Sequence, residues 1–167
     1  MSRDESGVGT LEEEREITQL LLRYCECLDT GEIERLATDV YASDAVADYN
    51  FHVSEGSRAI VNFLAGNMAR FKATAHLLSN VSVKACDGKH AEVTAVITAW
   101  QWVTASNDVG VERDFAVVVS TWDRLERTPD GWRITEHRTR GLGSAIAFDS
   151  GPPSSIALGT PTKTPLS

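Results

Sequence analysis

Several features that would assign the chain to a class of protein are missing from its 167 residues. No run of 18 apolar residues is present, so a transmembrane helix is not expected. Basic residues number 16 against 24 acidic ones, for a net charge of −8. This balance favours neither a nucleic-acid-binding groove nor contact with an anionic membrane. Residues 1–16 are acidic and have no apolar stretch like that of a signal peptide, so we expect a cytoplasmic protein.

Motifs for metal, nucleotide and nucleophile chemistry are also missing. The three cysteines, Cys25, Cys27 and Cys86, form no paired framework and indicate a reducing compartment. The four histidines lack the spacing of zinc ligands. No glycine-rich phosphate loop and no G-x-S-x-G motif occurs. We therefore expect no metal, no cofactor and no serine nucleophile.

The order of hydrophobic patterns predicts an α+β fold. Thr10 and Glu13 form a capping box before an apolar run of helical spacing. Three helices are predicted, at 11–28, 33–40 and 59–68, with a strand or hairpin arm at 41–51. The period then changes to two and predicts long strands at 75–85, 90–104, 111–126 and 132–140. Helices followed by an antiparallel meander predict a curved sheet around an apolar pocket, like a cone open at one end.

The chain ends in a segment of different composition. Residues 141–167 hold four of the five prolines and four of the twelve glycines. We therefore divide the chain into an arm at 1–9, one domain at 10–145 and a tail at 146–167. The apolar patch 145–148 could dock on the body or on a neighbouring subunit, and the tail is either a frayed terminus or a lid over the pocket.

Five segments then point to a known family by their order and spacing. They are E-I-T-Q-L-L-L-R-Y-C-E-C-L-D-T-G-E-I-E-R-L at 16–36, Tyr41-x-x-Asp44-Ala45, Gly56 before Ala59-Ile60, H-L-L-S-N at 76–80, and D-G-W-R-I at 130–134. Over about residues 10–145 the chain resembles the SnoaL-like branch of the nuclear transport factor 2 superfamily. The resemblance implies an α+β cone, three N-terminal helices packed on a strongly curved, mainly antiparallel sheet.

Within this branch the chain is most similar to the group of scytalone dehydratase, bile-acid 7α-dehydratase and hexachlorocyclohexane dehydrochlorinase. These are cofactor-free lyases with an Asp–His pair. The resemblance implies that Asp29 and His76 form this pair, with Tyr24 as a hydroxyl donor and Arg138 as the arginine of a late strand. One departure is that 98–102 lacks the second carboxylate of the bile-acid enzyme.

Each candidate catalytic residue also has a structural interpretation. Asp29 begins an Asp-Thr-Gly turn, and His76 is a lone histidine on a strand. Tyr24 lies on the apolar face of the first helix, where a core aromatic is equally expected. Arg138 is placed on one strand face with Glu136 and could simply pair with it. Arg140 and Arg113 are rivals for the same role.

Candidate substrate-binding residues follow from strand alternation and aromatic content. Asn80 would share a strand face with His76, either as a pocket group or in a strand-end hydrogen bond. Tyr41 and Tyr49 are further hydroxyl donors. Four aromatic residues of the central strands would form core or pocket wall and favour a bulky apolar substrate, polycyclic for example: Trp100, Trp102, Phe115 and Trp122.

These residues predict a cofactor-independent lyase of the dehydratase type, acting on a small hydrophobic hydroxylated molecule. An isomerase or polyketide cyclase would use the same groups, and a non-catalytic ligand-binding or assembly module would use the same fold. Residues 115–119 are apolar on both strand faces, which favours a homo-oligomer. The family resemblance implies a trimer, with a dimer as the second choice.

Overall fold

The computed structural model describes residues 9–103, 114–143 and 145–148. Within these ranges, two α-helices and one short helical segment accompany seven strands. The helical elements are α1 (Leu11–Thr30), a 3₁₀ turn (Ile33–Arg35) that continues as a π-helical turn (Leu36–Val40), and α2 (Ser57–Met68). The strands are β1 (Tyr41–Asp48), β2 (Val53–Glu55), β3 (Phe71–Cys86), β4 (His90–Val103), β5 (Asp114–Thr128), β6 (Gly131–Gly141) and β7 (Ile146–Phe148).

Helix α1 begins where its sequence predicts and ends two residues beyond the predicted end. The Thr10 side chain accepts a hydrogen bond from the Glu13 backbone, and the Glu13 side chain accepts one from the Thr10 backbone. Its apolar face is buried, from Ile17 to Leu28. Gly31 ends the helix at φ 79°, a left-handed conformation that favours glycine. The helix is two residues longer than predicted, so that Asp29 belongs to its last turn.

The sheet is open, mixed and mostly antiparallel. Its strand order is β2–β1–β6–β5–β4–β3, and β7 pairs with β5. Strand β1 runs parallel to β6, a pairing that a simple meander does not predict. Helix α1 packs on β3 and β6, and α2 packs on β1 and β2. Along β4, alternate residues from Ala91 to Ala99 are buried, which places the core between this sheet face and the helices.

Two of the irregularities in strand pairing decide which candidate residues face the core. In β6, Ile134 pairs with Leu125 and Glu136 with Arg124, so Thr135 is an extra residue. A single extra residue reverses the inward–outward alternation beyond it. His137 is therefore buried, and the residues beside it face outward. A second irregularity lies in β3 at Asn80, whose φ is 51°.

The end of the described chain continues the sheet. Ile146 pairs with Ala116 and Phe148 with Asp114, so the apolar patch docks on the body as β7. The rest of the tail and residues 1–8 of the arm lie outside the described residues, so the lid stays a prediction. Among the described residues, no helix has the length and hydrophobicity needed to cross a membrane.

Candidate active site

Asp29 and His76 form a hydrogen-bonded pair between α1 and β3. The Nδ1 atom of His76 lies 2.6 Å from Oδ1 of Asp29. The imidazole is 7% exposed and the carboxylate 27% exposed. His76 pairs in register with the buried Ala99, so its side chain shares the core face of the sheet. The predicted pairing of these two residues is thus present.

Two further hydrogen bonds fix the Asp29 carboxylate. The Thr74 hydroxyl donates to Oδ1 at 2.8 Å, and the backbone N–H of His76 donates to Oδ2 at 2.8 Å. Burial alone would raise the pKa of Asp29, but the hydrogen bonds from His76 and Thr74 outweigh it and hold the pKa below its ordinary value. Asp29 is therefore an anion at neutral pH, directed at β3.

This arrangement selects one form of the His76 ring. A carboxylate only accepts hydrogen bonds, so the neutral imidazole carries its proton on Nδ1. The other ring nitrogen, Nε2, is then unprotonated and can act as a base. The pair has the orientation that general-base catalysis requires of an Asp–His couple.

The three candidate tyrosines gather around His137 in the core. Tyr24, Tyr41 and Tyr49 are all buried, and the hydroxyls of Tyr41 and Tyr49 lie 3.3 Å apart. Their rings surround His137, with centroid distances of 5.3 Å, 6.3 Å and 5.5 Å respectively. Burial raises the pKa of each tyrosine well above its usual value. The predicted donors are therefore present as protonated hydroxyls around a histidine that sequence reasoning missed.

His137 belongs to a second Asp–His pair. Its Nδ1 atom lies 2.5 Å from Oδ1 of Asp123, and the two side chains are 2% and 1% exposed. The sequence did contain a signal that Asp123 faces the core. Asp123 lies two residues before the apolar Leu125 on an alternating strand, so the two side chains share one face of the sheet. No such signal existed for His137, whose inward direction depends on the extra residue Thr135.

Cys25 on α1 lies within electrostatic reach of both carboxylates. Burial raises the pKa of its thiol to about 12, and the negative charges of Asp29 and Asp123 add to the shift. Both aspartates of the two Asp–His pairs therefore lie close enough to Cys25 to act on its thiol. This thiol stays protonated at neutral pH.

Arg138 and Asn80 do not lie beside His76, which corrects two predictions. Arg138 is 52% exposed, donates to Glu136 at 2.8 Å and lies over the Trp122 ring at 4.6 Å. The pairing with Glu136 is thus present, on the outer face, because the alternation reverses at Thr135. Asn80 is exposed, since the irregularity in β3 directs it to a cavity on the same outer face. Of the rivals, Arg140 binds Asp48 at 2.7 Å, and Arg113 lies outside the described residues.

The predicted aromatic wall is divided between the two faces of the sheet. Trp100 is 39% exposed on the outer face, and Trp102 shares that face by alternation. Neither tryptophan lines the interior, which corrects that prediction. Phe115 packs against the core, with its ring 5.9 Å from that of Phe71. Within the described residues, no cluster of three or more His, Cys, Asp or Glu could hold a metal ion.

Comparison with known proteins identifies the family. A sequence model described as a SnoaL-like domain matches residues 9–138. The chain belongs to this family. A relative from Mycobacterium tuberculosis, named only as an uncharacterized protein, is 31% identical over 138 residues, which cover 80% of this chain and 88% of the relative.

Solved structures show the same fold. A provisionally named aromatic ring hydroxylase of Novosphingobium aromaticivorans is 23% identical at a TM-score of 0.73, covering 84% of this chain and 96% of the other. A provisionally named scytalone dehydratase of that bacterium is 20% identical at 0.73, covering 90% and 97%. Hexachlorocyclohexane dehydrochlorinase LinA-type3 of Novosphingobium barchaimii is 15% identical at 0.68, covering 86% and 97%. The neighbours of this SnoaL-like chain thus include proteins named as dehydratase and dehydrochlorinase.

Proposed function

We propose that this SnoaL-like protein is a cofactor-independent lyase of the dehydratase type. Its substrate would be a hydrophobic hydroxylated compound, polycyclic and polyketide- or steroid-like. The observation that carries the proposal is the Asp29 carboxylate, which accepts hydrogen bonds from the His76 ring, the His76 backbone and the Thr74 hydroxyl. Three donors on one carboxylate fix the imidazole far more tightly than a surface ion pair would.

The proposed reaction is an elimination of water. Nε2 of His76 removes a proton from a carbon next to a carbonyl group, and the electron pair of that bond forms a carbon–carbon double bond. The neighbouring carbon–oxygen bond breaks, and the departing hydroxyl takes a proton back from His76 to leave as water. Acid–base catalysis of this kind contributes about 10²–10⁴-fold in rate.

Asp29 would stabilise the imidazolium that forms during this step. Its charge lies against Nδ1 throughout, so the positive charge on the ring is partly neutralised within a buried site. Tyr24 lies five residues earlier on α1 and keeps its proton, because burial raises its pKa. We assign it to hydrogen bonding with the oxygen that gains charge.

The experiment is a substrate screen read by mass spectrometry. The protein is incubated in D₂O with hydroxylated carbonyl compounds of increasing ring number. The proposal expects at least one compound to lose 18 Da, the mass of water, and Asp29→Asn to abolish that loss. Incorporation of deuterium without loss of water would identify an isomerase or cyclase instead. Binding of compounds that are never converted would contradict catalysis and indicate a ligand-binding module.

A further inference from the structure

A cavity lies on the outer face of the sheet, the face turned away from the core. It has a volume of about 610 Å³ and is lined by residues of β3, β4, β5 and β6. Neither Asp29 nor His76 lines it, and the elimination proposed above does not use it. A concave volume of this size is typical of a site for a small molecule.

The lining of this cavity is positively charged, although the chain carries a net charge of −8. Among its described lining residues, three are cations and none is an aspartate or glutamate. The cations are Lys84, Arg138 and Arg140. The uncharged polar residues are Asn80, Ser82, Thr94, Ser120 and Thr121. Cations and hydroxyl groups around one concave surface favour an anionic ligand.

One row of paired residues crosses the cavity from β3 to β6. Ser82 pairs with Thr94, Thr94 with Trp122, and Trp122 with Arg138. Three strand spacings separate the ends of this row, so the backbones of Ser82 and Arg138 are about 14 Å apart. Lys84 donates from Nζ to the Ser82 hydroxyl at 2.9 Å, which places its ammonium group at the β3 end. The row therefore has a cation at each end.

These cations keep the capacity to bind a further anion. Within the part of the chain that the structure describes, Lys84 has no carboxylate partner, and its hydrogen bond goes to the Ser82 hydroxyl. Arg138 donates to Glu136, but Arg124 donates to the same carboxylate. A guanidinium group has several N–H donors, so Arg138 can hold a second anion beside Glu136. Exposed ion pairs stabilise a protein only weakly, so the existing pair is a small obstacle to a ligand.

We propose that this cavity binds an elongated small molecule that has an anionic group at each end. One carboxylate or phosphate group pairs with Lys84, and the other pairs with the guanidinium groups of Arg138 and Arg140. The body of the ligand lies along the middle of the row, where the Trp122 ring provides apolar contact. The Arg138 guanidinium lies 4.6 Å from the centre of that ring, so charged and apolar contacts are adjacent. This site does not depend on the proposed elimination, since it lies on the other face of the sheet.

The test compares a dianion with a monoanion of the same ring system. Wild-type protein is titrated with 2,6-naphthalenedicarboxylate and with 2-naphthoate by isothermal calorimetry at low salt. The dianion should bind about tenfold more tightly, because it alone can pair with both ends of the row. Added salt should reduce this preference, since the cations are exposed.

Two lysine variants that make the same charge change locate the binding. Lys84→Gln removes the cation at the β3 end, so its preference for the dianion should disappear. Lys72 is also an exposed lysine of β3 but does not line the cavity, so Lys72→Gln should keep the wild-type preference. Equal affinity of the wild type for the two naphthalene probes would overturn the proposal. An undiminished preference in Lys84→Gln would overturn it as well.

A further probe identifies the anionic groups. Fructose 1,6-bisphosphate carries a phosphate at each end, and it is titrated under the same conditions. Tighter binding than that of 2,6-naphthalenedicarboxylate, lost in Lys84→Gln, would assign phosphates as the end groups, and weaker binding would assign carboxylates. If the wild type binds neither dianion, the cavity is not a ligand site.

Discussion

The substitution Asp29→Asn should leave the fold intact and reverse the tautomer of His76. In the wild type, Oδ2 of Asp29 accepts from the His76 backbone N–H and Oδ1 faces Nδ1 and the Thr74 hydroxyl. An amide has one oxygen and one NH₂ group for these two positions. If the amide oxygen accepts the hydrogen bond from the His76 backbone N–H, the NH₂ group donates to Nδ1 of His76. The proton of the imidazole ring then moves to Nε2.

The opposite amide orientation is the less favourable one. It would place the NH₂ group against the backbone N–H of His76, two donors facing each other. Leaving that buried donor unpaired costs about 1–3 kcal/mol. This energy corresponds to a preference of roughly 5–150-fold for the orientation that reverses the tautomer. With Nε2 protonated, His76 cannot accept a proton there, and turnover should fall by about 10²–10⁴-fold.

The assay for this prediction does not require the substrate. Histidine ¹⁵N shifts distinguish a protonated from an unprotonated ring nitrogen, and His76→Ala assigns the resonances. We expect Nδ1–H in the wild type and Nε2–H in Asp29→Asn. The amide NH₂ group can donate to Nδ1 of His76 and to the Thr74 oxygen, while the amide oxygen accepts from the His76 backbone N–H. Because three hydrogen bonds thus remain, two of them reversed in direction, the melting midpoint should change by less than about 4 °C. Finding Nδ1–H in both proteins would refute the reasoning.

Three further predictions concern pH, the outer face and assembly. Burial alone would raise the pKa of Asp29, but its hydrogen bonds to His76 and Thr74 hold the pKa in the folded protein below the ordinary value of 3.8. The stability that the Asp29 carboxylate gives to the fold should therefore be complete above about pH 5 and be lost as the pH falls through the folded pKa. When the free energy of unfolding is measured in urea between pH 7 and pH 3, the wild type should lose more stability than Asp29→Asn. If stability falls equally with pH in both proteins, the Asp29 carboxylate does not stabilise the fold in this way. Arg138→Ala should keep turnover within about twofold of wild type, since Arg138 lies outside the core, whereas a hundredfold loss would place it in the site. We propose a homo-oligomer, because Leu77 and Trp100 are exposed on the described sheet, and the family resemblance favours a trimer first and a dimer second; a monomeric mass by light scattering would contradict assembly.

Local patterns were sufficient to predict the elements that carry the first Asp–His pair. The capping box at Thr10 and the spacing of apolar residues predicted α1, and the change to a period of two predicted the strand that carries His76. The pairing with Asp29 was implied by the family resemblance, since an Asp-Thr-Gly turn alone is compatible with a capping role. The extra residues in β3 and β6 could not be predicted, because strand register is set by pairing across the sheet. The placement of Arg138, Asn80 and His137 depends on those irregularities.

Turnover of His76→Ala, measured beside His90→Ala, tests the central claim most directly. Both substitutions remove a histidine ring that faces an aspartate, but the His90 pair is exposed and its atoms are 3.4 Å apart. On the compound that loses water in the substrate screen, His76→Ala should be at least ~100-fold slower than wild type, because the pair acts as a unit. His90→Ala should be unchanged. Near-normal turnover in a folded His76→Ala protein would contradict the assignment of His76 as the base.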